Sequence, residues 1–88
     1  MIKKKYLQKR IRKYVIATLD IPTFYLQHMG GKNWQFVDDI EIATKTMGKG
    51  LANQLKNLYY LDTGRRNEEL VVVPVEISYD IVEDINEE

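Results

Sequence analysis

The sequence predicts an α+β fold: a small antiparallel sheet of three strands, one helix packed on one face, and one long final strand. Three observations carry this. Runs rich in β-branched and aromatic residues occur at 12–19, 24–28, 34–37 and 70–79. A glycine pair, Gly30-Gly31, separates the second run from the third. A single stretch, from Leu51 to Leu61, carries leucines at helical spacing.

Residues 2–11 carry Ile2, Tyr6, Leu7 and Ile11 at loosely helical spacing without a capping residue, so residues 1–11 are expected to be a basic N-terminal arm, at most a nascent helix. The first strand follows over 12–19. Asp20-Ile21-Pro22-Thr23 then turns the chain, because the residue before a proline is driven extended and proline suits the second turn position. The second strand spans 24–28. Gly30-Gly31, followed by Lys32 and Asn33, tolerates the positive φ of a tight hairpin. In the third strand, Trp34 and Phe36 share one face by period two and are expected on the core side.

Asp38-Asp39 ends that pattern, and Ile40-Glu41-Ile42-Ala43 fits either a short strand continuation or a first helical turn. After a junction at 44–50, Leu51, Leu55 and Leu58 stand at i, i+4 and i+7 and predict the core stripe, with Ala52 and Tyr59 beside it. Asn53, Lys56, Asn57 and Tyr60 are expected to face outward. Thr44 or Thr46 is the expected cap. Asp62 to Asn67 reads as a polar loop, with Gly64 as the helix stop. Pro74 interrupts the last strand and cannot donate to a ladder, so that strand must lie at an edge or bulge there. The predicted organisation is therefore the arm at 1–11, one α+β domain at 12–82 and an acidic tail at 83–88.

With 88 residues the chain makes one small domain, which must use nearly all its apolar residues as core. Homodimerisation stays open as a way to bury more surface. The absence of cysteine excludes disulfides, thiolate metal sites and a cysteine nucleophile, and the cytoplasm is the expected compartment. No apolar run reaches about 18 residues, as a membrane-spanning helix requires. The basic start is not followed by the apolar stretch of a secretory signal.

The zero net charge conceals a polarity. Residues 1–66 sum to +8 and residues 67–88 to −8. Seven cations, Lys3, Lys4, Lys5, Lys9, Arg10, Arg12 and Lys13, fill the first thirteen positions, with Tyr6 and Tyr14 interleaved. Such residues suit phosphate contacts and base stacking, so they are the candidate nucleic-acid-binding set. Lys32, Lys45, Lys49, Lys56, Arg65 and Arg66 extend that surface only if they fall on one side. Glu76, Asp80, Glu83 and Asp84 are the candidate protein-binding set, spaced to meet a basic groove. The alternatives are that the two ends lie together and neutralise, and that the acids only guard a strand edge against aggregation.

Tyr14-Val15-Ile16, Phe24-Tyr25-Leu26, Trp34-Gln35-Phe36-Val37-Asp38-Asp39 and Ile42-Ala43-Thr44-Lys45, followed by a Leu-rich helix and a Val-rich strand, resemble small phage and prophage proteins of Gram-positive bacteria. The resemblance covers roughly residues 13–79 and departs at the basic arm and the polar loop of 62–69. It implies a mobile-element origin. Some small phage proteins of this size act by binding and inhibiting host defence systems.

Catalytic chemistry finds little support. His28 is the only histidine and Ser78 the only serine, and Ser78 falls in a strand rather than on a nucleophile elbow. Asp38, Asp39 and Glu41 offer carboxylates for a hard cation, but no lysine follows at the offset of a metal-dependent nuclease. Gly48-Lys49-Gly50 lacks both Walker and dinucleotide-binding spacing. The expectation is a non-enzymatic, cofactor-free domain that binds a macromolecule, foremost a protein and alternatively a nucleic acid, and not a membrane.

Overall fold

The computed structural model describes residues 6–66 and 68–82. Four strands form one antiparallel sheet with one α-helix against it. The strands are β1 (Tyr6–Thr18), β2 (Tyr25–His28), β3 (Trp34–Val37) and β4 (Leu70–Val82). They lie in the order β3-β2-β1-β4, so β4 is an edge strand, the first of the two alternatives that Pro74 left open. The helix, α1 (Lys49–Thr63), precedes β4.

β1 and β4 pair along their whole length, from Tyr6 opposite Val82 to Thr18 opposite Leu70. Each has 13 residues, so at about 3.4 Å per residue the ribbon runs roughly 44 Å. β1 therefore begins at Tyr6, and residues 6–11, expected in an arm, belong to the strand. Their helical spacing yields to a full-length partner, because strand preference depends on cross-strand context. β4 likewise extends past the expected end at residue 79.

β2 meets β1 only near Ala17 and Tyr25. Where the two strands splay, residues 44–46 fill the gap. Thr44 donates its N–H to the Leu26 carbonyl, and Thr46 exchanges both backbone bonds with Tyr14 at 2.9 Å. β2 and β3 form the expected hairpin, with Gly30 and Gly31 both at positive φ. Ile40-Glu41-Ile42 is one turn of 3₁₀ helix, capped by the Asp39 carboxylate accepting from the Glu41 N–H.

Ile16, Leu26, Tyr59 and Leu70 make the buried core between sheet and helix, joined by Trp34, Phe36, Leu55, Tyr60 and Val72. Trp34 and Phe36 present themselves edge-on to Tyr59, at 5.5 and 5.6 Å between ring centroids. The helix is rotated from the expected leucine stripe. Ala52 and Tyr59 are the buried residues, whereas Leu51 is 53% and Leu58 38% exposed. Tyr60, expected outward, packs on the core, and Lys56 is half-buried. The small Ala52 side chain lets the helix approach the sheet, and Tyr59 supplies the bulk that fills the core.

The helix starts at Gly48 without a side-chain cap. Neither threonine takes that role. The Thr46 hydroxyl donates to the Gly48 carbonyl, and the Thr44 hydroxyl accepts from the His28 N–H. Gly64 closes the helix in the left-handed conformation at φ 71°, as expected. Glu68 then ties the following loop back to the helix. It takes hydrogen bonds from the Tyr59 hydroxyl on its carboxylate and from the Tyr60 hydroxyl on its carbonyl.

Candidate functional site

The antiparallel pairing of β1 with β4 sets the basic residues described in β1 beside the described acidic strand β4. The two neighbour each other within one ribbon. Lys9 stands opposite Tyr79, Arg10 opposite Ser78, Arg12 opposite Glu76 and Lys13 opposite Val75.

The pleat divides these residues between two faces. Arg10 and Arg12 share one face with Ser78 and Glu76, and all four are exposed. Lys9, Ile11 and Lys13 share the other with Val75, Ile77 and Tyr79. On that second face Ile11, Lys13, Val75 and Ile77 are half-buried, and Tyr79 is exposed. An open groove of about 480 Å³ runs there, lined by Val75, Ile77, Tyr79 and Ile40 together with the charged Lys13, Lys45, Glu41 and Glu76.

The candidate nucleic-acid set is thus split. Arg10 and Arg12 lie on one face and Lys9 and Lys13 on the other, while Lys3, Lys4 and Lys5 lie outside the described residues. The additional cations do not continue a single surface. Lys45 donates to the carbonyls of Glu41 and Ala43 beside the groove, whereas Lys32 and Arg65 line a depression with Trp34 and Phe36. Of the candidate acidic set, Glu76 is exposed on β4, and Asp80 occupies the β4 position opposite Gln8. Glu83 and Asp84 lie outside the described residues.

The backbone supplies the feature that the side-chain pattern did not single out. Tyr14 turns its N–H and C=O toward Thr46, away from β4. Its β4 partner, Pro74, therefore belongs to a non-hydrogen-bonded pair, and its nitrogen points to the open edge. The alternation carries this along the strand. Val75, Ile77 and Tyr79 turn their backbone groups to β1, while Glu76, Ser78 and Asp80 turn theirs outward. Among the described residues no backbone hydrogen bond outside the ladders comes from residues 72–82. The only ion pair within 4 Å among them is Arg65 to Glu68 at 3.8 Å, so no described cation lies within 4 Å of the Glu76 carboxylate. β4 accordingly presents a row of unpaired donors and acceptors on an acidic strand.

The remaining candidates resolve into structural roles. His28 stacks on Trp34 at 4.0 Å, and its Nε2 lies 2.8 Å from the Gly31 carbonyl, bracing the hairpin. Asp39 is spent on the 3₁₀ cap. Among the described residues no group of three or more His, Cys, Asp or Glu side chains gathers as a metal site would require. No described helix is long and apolar enough to cross a membrane. Among the described residues the one clearly perturbed ionisation is Tyr59, whose hydroxyl is pushed above its ordinary value by burial, with the Glu68 carboxylate adding to the shift.

No protein-family model, curated protein or solved structure matches the chain.

Proposed function

We propose that this chain is a non-enzymatic domain that acts through protein–protein interaction, with the open edge of β4 as its binding surface. The observation that supports this best is the outward direction of the Glu76, Ser78 and Asp80 backbone groups on a strand with no outer neighbour among the described residues. An extended segment of a partner satisfies those groups by adding a strand, which is a recurring mode of peptide recognition. Such a role fits the resemblance to small phage-type proteins, some of which bind and inhibit host defence systems.

One observation favours a second role in nucleic-acid binding. Arg10 and Arg12 share the exposed face of a two-stranded ribbon, an element that fits the major groove. Glu76 on the same face opposes phosphate contact, which places this role second.

The test compares wild type with Ser78→Pro. Proline removes the outward N–H at a position where no β1–β4 bond is made. Partner proteins retained by wild type from host lysate and lost by Ser78→Pro support the binding edge. Salt-sensitive DNA or RNA binding that Ser78→Pro leaves intact and Arg10→Ala with Arg12→Ala abolishes overturns it in favour of the second role.

A further inference from the structure

The helix α1 carries a second apolar line besides the one that meets the sheet. Ala52 and Tyr59 turn to the core, whereas Leu51, Gln54, Leu58 and Leu61 are exposed. Single exposed leucines are ordinary, but these four positions fall in line. They are spaced by three, four and three residues, the spacing of a helix–helix seam. Leu61 is 68% exposed, and Met47, in the turn before the helix, is 66% exposed. An open groove of about 490 Å³ runs along this line, lined by Met47, Leu51, Gln54, Leu55, Leu58, two threonines and Lys45. Lys45 donates its ammonium to the carbonyls of Glu41 and Ala43. By the period of the helix, Lys49 and Lys56 fall on the side opposite the line.

The spacing of the line reads the same in both directions. A two-fold contact requires that, because each copy offers the same patch to the other. Two helices laid antiparallel about the level of Lys56 bring Leu51 against the second copy's Leu61, and Leu58 against its Gln54. Charge favours the same arrangement. Asp62 lies in the last turn of α1, at the negative end of the helix dipole, with one carboxylate oxygen accepting from the Trp34 Nε1. The first turn holds no acid and starts at Gly48 without a side-chain cap. Antiparallel pairing sets Asp62 level with the second copy's Gly50, beside that positive end. Parallel pairing sets Asp62 against Asp62 instead. The positions that flank the line on its other side, Gly50 and Asn57, bring no like charges together.

We propose that two copies of this chain pair through α1, antiparallel, along Leu51, Gln54, Leu58 and Leu61. This surface shares no residue with the open edge of β4. The contact covers about three helical turns, ~15 Å, which is short for a stable interface. The dimer is therefore one that dissociates on dilution.

The test is sedimentation equilibrium of the full chain from about 10 µM to about 1 mM, over which a monomer should give way to a dimer. Leu51→Lys and Leu58→Lys should each raise the dissociation constant tenfold or more. Gln54→Leu completes the apolar seam and should lower it tenfold or more. Ser78→Pro should leave it unchanged. Melting in dilute solution, where the chain is single, is the folding control for each variant. The chain has no cysteine, so the pairing can be read by linkage. An equimolar mixture of Leu51→Cys and Leu61→Cys should oxidise to a linked pair, and neither should do so alone. A monomer throughout the range overturns the proposal, as does a dimer that Gln54→Leu does not tighten. A dimer that Ser78→Pro abolishes and Leu51→Lys leaves intact moves the contact to β4 and overturns it too. Linkage of Leu51→Cys with itself overturns the antiparallel pairing.

Discussion

Pro74 stands opposite Tyr14 in the β1–β4 ladder, and Tyr14 spends its own N–H and C=O on Thr46. The proline therefore costs the ladder no bond. It sits where its missing donor faces only the open edge, and it interrupts that edge between the apolar stretch Leu70 to Val73 and the acidic stretch beyond. Proline on an exposed edge is a recognised guard against unwanted strand pairing.

Pro74→Val restores an outward N–H and joins the apolar and acidic halves of the edge. Unfolding free energy in urea should stay within about 1 kcal/mol of wild type, since no core contact is lost. Size-exclusion chromatography with light scattering should show increased self-association. A strongly destabilised monomer would mean that Pro74 serves the fold rather than guards the edge.

Tyr59 joins the core to the loop through Glu68. Tyr59→Phe keeps the ring and deletes the hydroxyl, and should cost about 1–2 kcal/mol in denaturant unfolding. The pH dependence has a definite sign. The folded chain holds the Tyr59 proton more tightly than the unfolded chain, whose value is near the ordinary 10.0. This contribution is fully present below that pH and is lost as pH rises through the folded-state value. Melting followed from pH 8 to 11 should fall more steeply for wild type than for Tyr59→Phe. Parallel curves would contradict the assignment.

The orientation of α1 is tested by substitutions on its two sides. Leu51→Lys and Leu58→Lys place charge on exposed positions and should change stability by less than about 1 kcal/mol each. Ala52→Leu forces extra volume into a fully buried position and should cost about 1–3 kcal/mol. The reverse ranking would restore the leucine stripe as the core face.

Gly64 closes the helix at φ 71° with open space around its Cα. Gly64→Ala should therefore cost about 1–2 kcal/mol through the left-handed backbone alone, measured by thermal unfolding. An unchanged melting point would show that the helix end re-forms elsewhere.

Local chemistry made much of this fold legible. Gly30-Gly31 marked the β2–β3 hairpin, Trp34 and Phe36 declared their face by period two, and Pro74 left only an edge or a bulge. The helix face was legible at Leu55, Ala52 and Tyr59 but misjudged at Leu51, Leu58 and Tyr60, because leucine spacing weighs size and hydropathy. The sheet instead selects Ala52 for closeness and Tyr59 for reach. Residues 6–11 were not legible as strand, because their alternation acquires meaning only beside β4. The candidate residues Arg12 and Glu76 were identifiable as charges on two ends that could lie together, but their direct opposition in one ladder was not legible. Pro74 pointed to an edge or a bulge, but which backbone groups of β4 face outward is a property of strand order and backbone direction that the sequence does not announce.

The most direct test of the binding edge is amide hydrogen exchange along β4, residue by residue, in the free chain. The amides of Ile77 and Tyr79 should be protected, and those of Glu76 and Ser78 should exchange rapidly. Equal protection of all four amides would contradict the account.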